Sequence, residues 1–198
     1  MRHKGVKKEE TRRKIAAAAS HGFRKHGYGG IGVDGLAKLA GVTSGALYSH
    51  LGSKDGAFNI ALAVGLEEVI DTLPKFQSEH GTAWVKAFSE YYLSTEHQND
   101  LECGCAMATL TPEVVRFGDE MHEIFEEKMS LIAKIIVEGL VGGTEEDRFS
   151  RAWSLLGVLI GGVNIARSMK SIEASEAVAN AIRLAAISAA GETKKVAE

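Results

Sequence analysis

Proline and cysteine are scarce in this 198-residue chain, with two of each: Pro74, Pro112, Cys103 and Cys105. So few chain breakers, in a sequence rich in alanine, exclude an all-β protein built on many tight turns. Two cysteines separated by one glycine cannot form a disulfide framework, so a reduced, intracellular protein is expected. A strong excess of one charge is also missing: the net charge is −3, and with 45% apolar residues this excludes disorder along the whole chain. The longest apolar stretch, Trp153 to Val163, is shorter than the roughly 20 residues a membrane-spanning helix needs. The opening residues, MRHKGVKKEETRRK, contain no apolar segment of the kind a secretory leader carries. A cytoplasmic protein without membrane attachment is the expectation.

What charge there is lies unevenly. Residues 1–55 hold eleven Lys and Arg against four Asp and Glu, a balance of +7, and the remaining 143 residues stand at −10. Four of the seven histidines also fall in the basic end. A small basic module on a larger acidic body suggests that the basic end meets a polyanion. A solvated helix face would show the same composition, so the local pattern has to decide.

Apolar residues at three- and four-residue spacing (Ile15, Ala18, Ala19, Gly22, Phe23) predict a helix over about 9–26, stopped by Gly27, Gly29 and Gly30. Two short helices follow, over 33–40 and 44–51, with Gly41 between them and Thr43 placed as N-cap. Ser53 opens a long helix expected to end at Pro74. Further helices are expected over 82–97, from Pro112 at a first turn to about 140, over 145–168 and over 171–190. No strand pair or repeat stands out. The expectation is an all-α protein of about nine helices, divided into residues 1–55 and 56–198.

The informative stretch is Val33 to Leu51, VDGLAKLAGVTSGALYSHL. Ala37 is small enough for two helices to meet, and Gly41 can end the first in a left-handed conformation without a Cβ penalty. Leu36, Ala40, Val42, Leu47 and Leu51 supply the shared apolar contact. With Leu47 and Leu51 four apart and inward, Ser44, Gly45, Ala46, Tyr48 and Ser49 turn outward. Small residues there permit approach to base edges, while Tyr48, His50 and Lys54 can reach phosphates. An ordinary helical hairpin would account for the glycines but not for the coincident basic charge.

The order Gly27-Tyr28, Val33, Leu36-Ala37, Gly41-Val42, Gly45-Ala46-Leu47-Tyr48, His50 and Ser53-Lys54 resembles the TetR/AcrR family of bacterial transcriptional regulators. The match covers about residues 10–60. The resemblance implies a three-helix DNA-binding head, a helical ligand-binding body, and a homodimer formed by the last two helices. It places DNA contacts on Thr43, Ser44, Gly45, Tyr48, Ser49, His50 and Lys54. Three residues depart from the pattern: Ser44 where many members have Lys, Leu51 where Phe is usual, and Gly32 where Ser or Thr usually caps.

For the body, Trp84, Phe88, Tyr91, Met107, Phe117, Met121 and Phe125 are candidates to line an apolar effector pocket, with core packing as the plainer reading. Trp153, Leu156, Gly157, Ile160 and Gly161, with Val178, Ala181, Ile182 and Ala185, are candidates for the dimer interface. Cys103 and Cys105, beside the acidic Asp100 and Glu102, read as structural cysteines more readily than as a redox pair. Asp119, His122 and Glu126 share a helix face, yet the second histidine of a zinc motif is missing and no metal or other cofactor is expected. No serine elbow or phosphate-cradling loop appears, and no catalytic residue is assigned. The expected function is a ligand-responsive regulator, most simply a repressor, binding a double-stranded DNA operator as a homodimer under a small-molecule effector. The rival classes are a metal-carboxylate helical-bundle enzyme, which lacks a second carboxylate-histidine pair, and a protein-only helical adaptor, against which the basic head argues.

Overall fold

A computed structural model describes residues 2–191 and 193, with side chains from residue 8 onward. Among the described residues every regular element is helical: α1 (Arg2–Gly30), α2 (Val33–Ala40), α3 (Ser44–Leu51), α4 (Lys54–His80), α5 (Trp84–Tyr92), α6 (Thr95–Asn99), α7 (Ala106–Val114), α8 (Asp119–Gly139), α9 (Glu145–Arg167) and α10 (Ile172–Ala190). Nine of these run longer than five residues, so the expected all-α class and helix number hold.

Several boundaries differ from those the sequence suggests. Pro74 lies inside α4, which continues to His80, and Pro112 lies inside α7 rather than opening the long helix. A proline costs a helix one donor and crowds the preceding turn, and packing elsewhere along these helices outweighs it. The long helix opens instead at Asp119, with the Met121 amide donating to the Gly118 carbonyl at 3.1 Å. The single helix expected over 82–97 is a 3-10 turn, α5 and α6, because Ser94 adopts an extended conformation and caps α6 by accepting from the His97 amide.

The chain forms two compact units that interleave in sequence: residues 1–67 with 101–126, and residues 68–100 with 127–198. In the first, α1 packs on α2, α3 and α7. Its centre is aromatic: the Phe23 ring stands edge-on to Phe58 at 5.1 Å, and Phe58 stacks on Phe117 at 5.0 Å. Such pairs prefer these geometries because the ring face is negative and the edge positive. Ile15, Ala19, Leu36, Leu47, Leu62 and Leu66 are fully buried around them. Gly65 lets α4 approach α7, since a Cβ there would lie 2.4 Å from that of Ala106.

In the second unit α9 and α10 form the most extensive helix pair, with α5 also packed on α10. Thr144 and Asp147 close a capping box on α9, and Ser171 caps α10. The Thr144 amide beside the Asp147 carboxylate holds that acid below its usual range. Ala152, Leu155, Leu156, Leu159 and Val163 are buried within the unit, as are Ala179, Ala186 and Ala190 of α10. By length and composition α9 is also apolar enough to cross a membrane.

Candidate nucleic-acid interface

The turn between α2 and α3 is built as its residue types require. Gly41 takes φ 65°, ψ 34°, and its amide reaches the Lys38 carbonyl while the Val42 amide reaches that of Ala37. Those two bonds satisfy carbonyls that the end of α2 would otherwise leave bare. Thr43 then reverses the backbone (φ −80°, ψ 154°), and its Oγ1 accepts from the Ala46 amide at 3.2 Å. At the start of α2, Gly32 is extended and supplies no side-chain cap. At the end of α3, Gly56 admits the chain close to the Leu51 carbonyl, which an added Cβ would meet at 2.2 Å. Ser53 caps α4 by accepting from the Gly56 amide at 2.9 Å.

This frame fixes which face of α3 points outward. Leu47 and Leu51 are buried, together with Leu36 and Ala37 of α2. Thr43, Gly45, Tyr48 and Ser49 are exposed, Tyr48 by 50%, whereas Ser44, Ala46 and His50 are half-buried. Among the described residues, nothing from other parts of the chain comes within 4 Å of where a Gly45 Cβ would stand, so that position is open to approach. Ser44 is not wholly unattached: its hydroxyl donates to the Asp34 carboxylate of α2 at 2.5 Å.

Lys54, at the first turn of α4, is held as well. Its Nζ sits 4.3 Å above the Tyr28 ring, and the Tyr28 hydroxyl donates to the neighbouring Asp55 carboxylate. That hydrogen bond, with some burial, pushes the Tyr28 phenol up to about 12. Tyr28 also makes edge contacts with Phe58 and Phe117, so the lysine is tied through it to the aromatic centre. Neither the Asp34–Ser44 bond nor the Tyr28–Lys54–Asp55 group was visible in helical periodicity, because each joins residues from different elements.

The remaining candidates fall in both units. Met107, Phe117, Met121 and Phe125 belong to the first, where Met107 and Met121 are buried and Phe117 is half-buried against Phe58 and Tyr28. Trp84, Phe88 and Tyr91 belong to the second. There the Trp84 indole donates to the Gly139 carbonyl at 3.1 Å, and Phe88 and Tyr91 gather with Phe76. A cavity of about 350 Å³ in this unit is lined by other residues, among them Gln98, Arg167, Lys170 and Ser175.

On α9 and α10 the expected interface residues divide. Leu156 is buried within the chain itself and so does not belong to an outer face, whereas Trp153, Gly157, Gly161, Ala181 and Ala185 are exposed. Ile160, Val178 and Ile182 are half-buried. The glycine that admits α10 is Gly162, where a Cβ would stand 2.4 Å from Ile182.

Cys103 is exposed and Cys105 buried. The buried Arg24 guanidinium of α1 donates to the Gly104 carbonyl at 2.9 Å and to that of Cys103 at 3.4 Å. Nε2 of His122 lies 3.0 Å from the Val114 carbonyl, which occupies that nitrogen of the suspected metal face. Among the described residues no three His, Cys, Asp or Glu side chains gather closely enough to hold an ion.

Residues 15–59 match the sequence profile of the bacterial regulatory proteins of the tetR family. No curated protein sequence matches the chain. Solved structures do. A TetR-family transcriptional regulator from Cytophaga hutchinsonii is 18% identical, with a TM-score of 0.76 over 97% of this chain and 98% of that one. The reduced form of NemR from E. coli is 20% identical, with a TM-score of 0.72 over 87% and 95%. A TetR regulator from Chloroflexus aurantiacus is 19% identical, with a TM-score of 0.70 over 96% and 99%. Residues 15–59 thus carry a helix-turn-helix head of the tetR type, and the whole chain has the all-helical fold of solved TetR-family regulators.

Proposed function

We propose that the chain is a ligand-responsive transcriptional repressor that acts in the cytoplasm, binding a near-palindromic duplex operator as a homodimer. A small apolar or aromatic effector releases it. The observation that carries this reading is the outer face of α3, a row of small and polar residues presented by a buried Leu47–Leu51 anchor on a basic head. Thr43, Ser44, Gly45, Tyr48 and Ser49 approach base edges or phosphates, and His50 and Lys54 meet the backbone.

A helix of eight residues makes too few base contacts for operator-level specificity. Two heads about 34–36 Å apart supply it, and their two-fold symmetry requires a near-palindrome. The outward stripe of α9 (Trp153, Gly157, Gly161, Ile165) beside Ala181 and Ala185 of α10 is the surface assigned to that pairing. An effector would shift the population towards a dimer whose head spacing no longer fits the two half-sites.

The test is recovery of bound fragments from the source genome, followed by titration of the recovered site against salt. A two-fold symmetric motif with a steep salt dependence is expected, and release of the protein by an apolar compound identifies the effector class. Failure to enrich any sequence above random fragments overturns the reading.

A further inference from the structure

The hydroxyl of Ser44 is committed before any DNA arrives. A serine hydroxyl has one proton and two lone pairs, and an aspartate carboxylate has lone pairs only. At 2.5 Å from Asp34 the Ser44 Oγ is therefore the donor, and its single proton points at the carboxylate. The bond is placed by the turn itself: Asp34 lies in the first turn of α2, and Ser44 is the first residue of α3 after the Thr43 cap. Ser44 is half-buried and Asp34 exposed, so the pair borders solvent on the face assigned to DNA.

Resting on that assignment, we propose that Asp34 makes Ser44 an acceptor towards DNA, so that the pair selects a base offering an exocyclic amine. In the major groove adenine N6 and cytosine N4 donate, whereas guanine N7 and O6 and thymine O4 accept. A serine free to rotate reads either kind of edge. Ser44 cannot, because turning its proton to the groove would leave two acceptors facing each other across the Asp34 contact. An acceptor edge brought to this position also meets the negative carboxylate beside it. Specificity thus comes from a residue on the helix that does not read the base.

The experiment selects duplexes from a random-core library with the wild type, Ser44→Ala and Asp34→Ala, all at one salt concentration. The wild type should return a two-fold motif, and Ser44→Ala should lose preference at one symmetry-related pair of positions. At those positions, deleting the amine (purine for adenine, 2-pyrimidinone for cytosine) should weaken wild-type binding about five- to tenfold and leave Ser44→Ala unaffected. Deleting the purine N7 acceptor there should change neither protein. Asp34→Ala, which frees the proton, should tolerate both edges and lose most of the amine effect. A motif unchanged in Ser44→Ala overturns the proposal, as does wild-type sensitivity to N7 in place of the amine. Absence of any motif in the wild type overturns the operator-binding reading and this proposal with it.

Discussion

Lys54, proposed above to meet the DNA backbone, is held in place by a neighbouring ring. A flexible ammonium loses freedom when it grips a phosphate, and here Tyr28 already holds it at 4.3 Å over its ring. Lys54→Ala should weaken binding to all duplexes alike and make the salt dependence shallower by about one charge. Tyr48→Ala and Thr43→Ala should lose more on the selected site than on random DNA, and Thr43→Ala should also cost about 1 kcal/mol of stability through the lost cap. Titrations on both duplexes at several salt concentrations separate these outcomes, and equal losses on both would remove Tyr48 from base reading.

Arg24 acts on a different part of the same unit. Arg24 is 4% exposed, and its guanidinium also donates to the Ser20 hydroxyl at 2.8 Å. Removing it takes the buried guanidinium donor away from the Gly104 carbonyl, so Arg24→Met should lower unfolding free energy by about 1–3 kcal/mol in urea titration. The joint change of Cys103 and Cys105 to Ser should leave DNA binding intact in reducing and peroxide-treated samples, since the grip is on the backbone. A peroxide response in the wild type that the double variant loses would restore a redox role.

Among the elements, α2 and α3 are placed by local chemistry and α9 and α10 by their mutual packing. The sequence located both short helices to the residue, because Gly41 and Thr43 terminate and begin them with bonds made inside the turn. The stop expected at Pro74 and the helix start expected at Pro112 both fall inside helices: a proline is only a local cost, which a well-buried helix overrides. On α9, Gly162→Val should destabilise the protomer by about 1–3 kcal/mol, because Ile182 fills that space. Ala181→Arg, on the exposed face, should spare the fold and yield soluble monomer with weak, non-specific DNA binding. Urea titration reads the first variant and sedimentation at micromolar concentration the second. Wild-type monomer bound tightly to one palindrome would sink the dimer account.

At the scale of the whole molecule, one buried histidine ties stability to pH. His97 Nδ1 donates to the Tyr92 carbonyl at 2.6 Å, and Arg167 donates to the carbonyls of His97 and Gln98. Burial above all, with Arg167 beside it, pushes the imidazole below its ordinary value, although the Tyr92 bond and Asp100 pull the other way. Below about pH 6.5 the unfolded chain therefore binds the proton more readily than the folded one, and stability falls as pH drops. Above that pH the group contributes no slope. The urea midpoint of the wild type should fall more than that of His97→Gln between about pH 7.5 and 5.5. Equal falls would remove His97 as the source.

The sequence by itself determined the helical class, the basic head and the turn that presents α3, because spacing, capping and glycine placement act over four residues or fewer. It also supplied the family resemblance that the profile over residues 15–59 bears out. Tertiary structure alone decided which residues meet across the chain. Asp34 reaches Ser44 across a turn, Tyr28 reaches Asp55 and Lys54 from another helix, and Arg24 reaches Gly104 over eighty positions. The division into 1–55 and 56–198 follows charge and motif, whereas the compact units recruit residues 101–126 beside the head. Charge and periodicity are properties of neighbours in sequence; burial depends on helices packing together, and no local pattern records which helix returns.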